Sequence, residues 1–127
     1  MPRVSAAFYS IAVICVLIGM PWGMIMGAQE NFVTAPAHAH LNLVGWVTMA
    51  LFGTFYALVP AAATRLAWIN FFVSTLALIL MIPALGMFLA HGNDPQWLPY
   101  MQAGEGLALL GMLVFAISVF RELLRER

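Results

Sequence analysis

Nineteen consecutive residues, Leu41 to Val59, carry no charge. With the turn that precedes them from Pro36, they are long enough as a helix to cross the ~30 Å hydrocarbon core of a bilayer. The same chain holds three further apolar stretches, Val4 to Ala28, Leu66 to Ala90 and Met101 to Phe120, separated only by short polar breaks. A chain of 127 residues that is 64% hydrophobic and 8% charged has too little polar surface to clothe a water-soluble core. The sequence therefore predicts an all-α integral membrane protein, one domain over 1–127, with four spans at about 4–28, 36–60, 66–90 and 100–121. A water-soluble domain is excluded. Nucleic acid is excluded as a partner, because no basic patch exists beyond the C-terminal tail. Cys15 is the single cysteine and lies inside an apolar run, so there is no disulfide framework and no CxxCH haem-attachment motif.

The breaks fix the order of the spans. The first apolar stretch is too long for the h-region of a signal peptide and reads as an uncleaved helix, kinked near its far end by Pro21. Gln29, Glu30 and Asn31 form the first loop, and Thr34 and Pro36 are placed to cap and open the second helix. AAATR after Pro60 makes the second turn. Trp68 marks an interface, and Pro83 is tolerable where neighbouring helices satisfy the freed carbonyl. His91-Gly92-Asn93-Asp94-Pro95 ends the third helix and starts the fourth. The fourth carries Gly104, Gly106, Ala108 and Gly111, small residues that let helices approach closely. Arg3, Arg65, Arg121, Arg125 and Arg127 all fall at one end of this arrangement, and Glu30, His91 and Asp94 at the other. The positive-inside rule then places both termini in the cytoplasm of a bacterial-type inner membrane, with the histidine end facing the periplasm.

Polar residues at membrane depth carry the functional suspicion. His38 and His40 lie about one turn inside the second span. Residues i and i+2 of an α-helix stand about 200° apart, so the two imidazoles leave opposite faces and do not chelate one ion between them. One helix thus offers a histidine to each of two neighbouring sites. Hydrogen bonding to another helix, a headgroup-facing position, and an extended copper-binding pair are the alternatives. Glu105, about one and a half turns inside the fourth span on the same side, is a proton-transfer group, a partner for a buried cation or polar group, or a carboxyl in a helix contact. His91 reads as a loop residue. The nine methionines and nine phenylalanines read as packing and lipid-facing residues.

The stretch AHAHLNLVGWVTMALFGTFYALVP, with its H-x-H pair, its FG and its closing proline, resembles one helix of subunit I of the haem-copper oxidases, the nitric oxide reductase branch included. In that family the two histidines of the pair serve two different haems. The resemblance covers about a fifth of the chain. Family subunits wrap about twelve spans as three arcs of four, and this chain supplies one arc. Neither the family's H-P-E-x-Y segment nor its adjacent His-His pair is present, so no residue is assigned as catalytic, and oxygen or nitric oxide reduction is not expected.

What the resemblance implies is a homotrimer of four-helix arcs. His38 of one protomer and His40 of another would be the axial ligands of a shared, six-coordinate haem b serving electron transfer, with quinol or a small redox protein as the exchange partner. Alternatives from other classes are a haem or gas sensor, a haem carrier, a copper- or zinc-binding membrane protein without porphyrin, and a subunit that holds no cofactor.

Overall fold

The computed structural model describes residues 1–125; Arg127, counted above among the one-sided arginines, lies outside them. Helix α1 spans Arg3–Gln29. Helix α2 spans Ala35–Leu58, α3 spans Arg65–Ala90, and α4 spans Leu98–Arg125 behind a 3₁₀ turn at Pro95–Trp97. All four are long and apolar enough to cross a membrane. They run up and down as two hairpins, α1 against α2 and α3 against α4.

The loops follow the local chemistry. Glu30 closes α1 in the left-handed region at φ 50°. Gly92 and Asn93 turn the chain after α3 at φ 66° and 62°, the conformation that Gly and Asn tolerate best. Asp94 accepts hydrogen bonds from both the backbone and the side-chain amide of Gln96, which starts the last helix. Thr64 caps α3 by accepting from the Leu66 N–H. Thr34 departs from expectation. It precedes α2 without capping it, because its hydroxyl accepts from the Trp22 indole at 3.1 Å and lies 3.5 Å from Met26 Sδ. That hydroxyl ties α2 back to α1 instead.

Helix α2 also departs from a regular α-helix. Its first turn, Ala35–His40, is α, but Leu41–Thr48 is a π-helix, and the α form returns at Met49–Leu58. The Thr48 hydroxyl donates to the Leu43 carbonyl five residues back, at 2.8 Å. Inside this stretch Gly45 faces α1, where an added Cβ would stand 2.7 Å from Cys15 Sγ. Such widened turns in helices are frequent at functional sites.

Packing between helices rests on glycine notches and an aromatic cluster, as it must in a solvent that offers little hydrophobic drive between helices. Ser5 donates to the Gly53 carbonyl at 2.6 Å, holding α1 to α2 near the arginine end. Gly104 admits the Met81 backbone and Gly111 admits the Ser74 hydroxyl, which close α3 onto α4. Phe8, Phe52, Phe55, Tyr56, Phe71 and Phe115 pack with ring centroids 4.5 to 6.1 Å apart, drawing on all four helices. Beneath them, Asn70 donates to the Tyr56 hydroxyl at 3.3 Å, Tyr56 to Ser118 at 3.2 Å, and Ser74 to the Asn70 carbonyl oxygen at 3.0 Å. Every member of this buried chain has a partner, so it fixes how α2, α3 and α4 register.

Candidate histidine site

The first turn of α2 sends its two histidines to different surroundings. His38 is half-buried and its ring lies against α1. Its Nε2 stands 2.9 Å from the Gly19 carbonyl and 3.0 Å from Asn42 Nδ2. One nitrogen serves only one of these at a time. Protonated, it donates to Gly19; unprotonated, it accepts from Asn42. The Trp22 ring meets the imidazole edge-on, with centroids 6.1 Å apart. A Cβ on Gly23 would come within 2.8 Å of the same Nε2, and one on Gly19 would overlap Asn42 Oδ1. The pair of glycines is therefore the notch in which His38 and Asn42 sit.

His40 is exposed. Its Nδ1 lies 2.7 Å from the Pro36 carbonyl, which only accepts, so Nδ1 carries the proton. Among the described residues Nε2 has no hydrogen-bond partner, and in the neutral ring it keeps its lone pair. A ligating histidine is held in this tautomer when its other nitrogen donates to a carbonyl.

The remaining polar residues separate cleanly. His91 closes α3, exposed, with Nδ1 2.9 Å from the Met87 carbonyl. Glu105 is exposed on α4, and among the described residues its carboxylate has no hydrogen bond or ion pair. The structure thus brings His38 to α1 and does not bring His40, His91 or Glu105 of one protomer together. Among the described residues, no three His, Cys, Asp or Glu side chains cluster as a metal cage would require. Two cavities lie near α2. One, about 290 Å³, opens at the histidine end between Trp22, Met26, Thr34 and Ala90. The other, about 140 Å³, lies between Val44, Thr48, Ser74 and Ala108.

Asn42, Gly19 and Gly23 were not singled out from the sequence as site residues. Two signals were there. Asn42 is four residues from His38 and so shares its helix face, and Gly19, Gly23 and Gly27 repeat at every fourth position, the small-residue spacing of a membrane helix contact. Comparison with known families, curated proteins and solved structures finds no match to this chain.

Proposed function

We propose that this chain is a haem-b-binding integral membrane protein with an electron-transfer role. In this reading it assembles as a homotrimer with both termini cytoplasmic, and each haem is shared between neighbouring protomers. The observation that carries the reading is the divergence of the two histidines, one turned inward to α1 and one turned outward with Nε2 uncommitted. Divergent imidazoles on one helix serve two sites, and identical chains fill such sites by closing into a ring.

Of the donor set, His40 fits the group as it stands. His40 holds the tautomer that ligation needs. His38 would exchange its contact with Gly19 for iron, and Asn42 would be left beside it as a polar neighbour. Neither cavity near α2, of about 290 and 140 Å³, is lined by His38 or His40, which favours a pocket made between protomers. When bound, a haem held by His38 and His40 would supply a one-electron couple. The short H-x-H resemblance to the haem-copper oxidases points the same way. The role of the protein's own residues is to present imidazoles, hold their tautomers and keep water out with the aromatic and aliphatic surface around them.

The test is a mixture of two inactive parts. His38→Ala and His40→Ala should each abolish the low-spin spectrum of the purified protein, and His91→Ala should leave it nearly intact. Co-expression of the two single variants should regain low-spin haem wherever an intact His38 meets an intact His40. A mixture that assembles normally and regains none refutes the shared site.

A further inference from the structure

The arginine end of the bundle holds a cavity that the histidine site does not use. It measures about 320 Å³ and lies between the turn that enters α3 and the last two turns of α4. At ~30 Å³ per water it has room for roughly ten waters, or for a phosphodiester carrying a small alcohol. Its α4 wall is Ser118, Arg121, Glu122 and Arg125, and the facing wall holds Thr64 and Leu66. Ser118, 3% exposed, is the floor. Its hydroxyl donates to the Val114 carbonyl and accepts from Tyr56, so it offers no further donor. Thr64 differs. Its oxygen accepts from the Leu66 N–H, and among the described residues its hydroxyl proton has no acceptor.

Charge in this cavity is unbalanced. Arg125 Nη1 pairs with Glu122 Oε1 at 3.3 Å, which leaves Arg121 as a guanidinium with no ion pair among the described residues. Around it, Arg3, Arg65, Arg121 and Arg125 face Glu122 alone among the described acids of this end. A ligand with a single negative charge matches the surplus, whereas a dianion is left facing the Glu122 carboxylate. Guanidinium groups suit phosphate oxygens, which they bind in pairs. The outer surface of α4 indicates where the rest of such a ligand lies. At 100° per residue, Ile117 and Leu124 stand about 40° and 60° past Arg121, on the side away from the cavity. Leu113 and Leu110 continue that stripe toward the bilayer centre, and all four are exposed. Arg121 to Leu110 spans about 16 Å along the helix, close to the ~15 Å of hydrocarbon in one leaflet. A ligand with an anionic head and an acyl chain uses both the cavity and the stripe; a water-soluble phosphate uses only the first.

We propose that this cavity binds the headgroup of an anionic phospholipid that ends in a neutral alcohol. Arg121 and Arg125 hold the phosphodiester oxygens, the Thr64 hydroxyl donates to the same group, and Glu122 accepts from the headgroup hydroxyls. The acyl chain lies along Ile117, Leu113 and Leu110. In the topology proposed above this is the cytoplasmic surface, where basic pockets between membrane helices take anionic headgroups. A zwitterionic headgroup brings no net charge to offset Arg121. The site lies at the opposite end of the bundle from the histidines and rests on neither the haem nor the ring assembly.

The experiment is native mass spectrometry of the full-length protein in a neutral detergent, given equal amounts of phosphatidylglycerol and phosphatidylethanolamine with the same acyl chains. The expected result is preferential retention of phosphatidylglycerol. Arg121→Gln should lower that retention about fivefold, the worth of one arginine at an anionic surface. Arg125→Gln should lower it further, because it also leaves Glu122 unpaired. Arg3→Gln, at the same end but outside the cavity, should leave it unchanged. Equal retention of the two lipids, or an equal loss in Arg3→Gln, overturns the site and assigns the attraction to the charge of the whole surface. Glycerol phosphate without acyl chains, added at the same concentration as the lipid, should not displace it; displacement refutes the lipid in favour of a soluble phosphate. Glu122→Gln removes the carboxylate and frees Arg125, so phosphatidic acid, a phosphate monoester that reaches two negative charges, should gain on phosphatidylglycerol at mildly alkaline pH. No gain there sinks the role given to Glu122.

Discussion

Replacing Gly23 by alanine tests whether the notch on α1 positions His38. Two effects oppose each other. Alanine is the better helix former by roughly 0.5–1 kcal/mol. Its Cβ, however, would stand 2.8 Å from His38 Nε2 and 3.3 Å from the adjoining ring carbon. The ring is the far end of a side chain and can turn away, but doing so gives up its bond to Gly19 or Asn42, worth about 0.5–1.5 kcal/mol. If it stays, the overpacking costs about 1–3 kcal/mol. The steric term wins, and Gly23→Ala should destabilise by about 1 kcal/mol net. Gly27, one turn further along the same helix, has nothing within 4 Å of an added Cβ. Gly27→Ala should therefore stabilise by the propensity term alone. The two alanines should differ by about 2 kcal/mol, separating their melting temperatures by roughly 5–10 °C. Thermal unfolding in mild detergent, followed by far-ultraviolet circular dichroism and by the fluorescence of the tryptophans, reads both. Equal shifts in the same direction for the two variants would refute the notch.

Three further outcomes are expected. Gly104→Ala meets the Met81 backbone, with N and Cα at 2.7 and 2.8 Å, where no side chain can yield; it should destabilise by roughly 1–3 kcal/mol in the same melt, against a gain if the α3–α4 contact is looser than described. Tyr56→Phe removes the hydroxyl that joins Asn70 to Ser118 and leaves a buried amide short of a partner, so a loss of about 1–3 kcal/mol is expected, and a variant as stable as the parent would show that water replaces the hydroxyl. Asn93→Cys on a Cys15→Ala background should react with an impermeant maleimide added from the periplasmic side, and labelling from the cytoplasmic side alone would invert the proposed topology.

The four helices were legible because their signal is one-dimensional. Long uncharged runs with Glu30, Arg65 and Asp94 between them need no tertiary knowledge to read, and the described helices begin and end within a few residues of the expected limits apart from the fourth, which starts earlier at its 3₁₀ turn and continues to Arg125. The opposed placement of His38 and His40 was legible too, since it follows from helical angle alone. What each ring touches was not. Whether His38 meets iron, lipid or α1 depends on a glycine spacing in a different helix, and only packing reveals that Gly19 and Gly23 form its seat. The π-helix at Leu41–Thr48 was equally hidden, because no residue in it forbids the α form. Thr34 shows the converse: it has the residue type and place of a cap, yet the Trp22 indole claims its hydroxyl. Glu105 stayed open among several roles because its surroundings belong to the surface of the protomer, which pattern in a single chain does not describe.

The hairpin arrangement has a consequence for how the protein is made. His38, Asn42 and the glycines that seat them all belong to α1 and α2, whereas Glu105 and the contacts of Gly104 and Gly111 belong to α3 and α4. Helix insertion proceeds from the N-terminus, so the glycine seat of His38 is present before the second pair leaves the ribosome. The only covalent link between the pairs is the short turn from Val59 to Thr64, built on the 3₁₀ segment Pro60–Ala62. A gene cut at that turn should yield two hairpins that insert separately and find each other afterwards through Tyr56, Asn70 and the phenylalanine cluster. Assembly of the four helices should thus be divisible at one place, with the seat of His38 already made before the division.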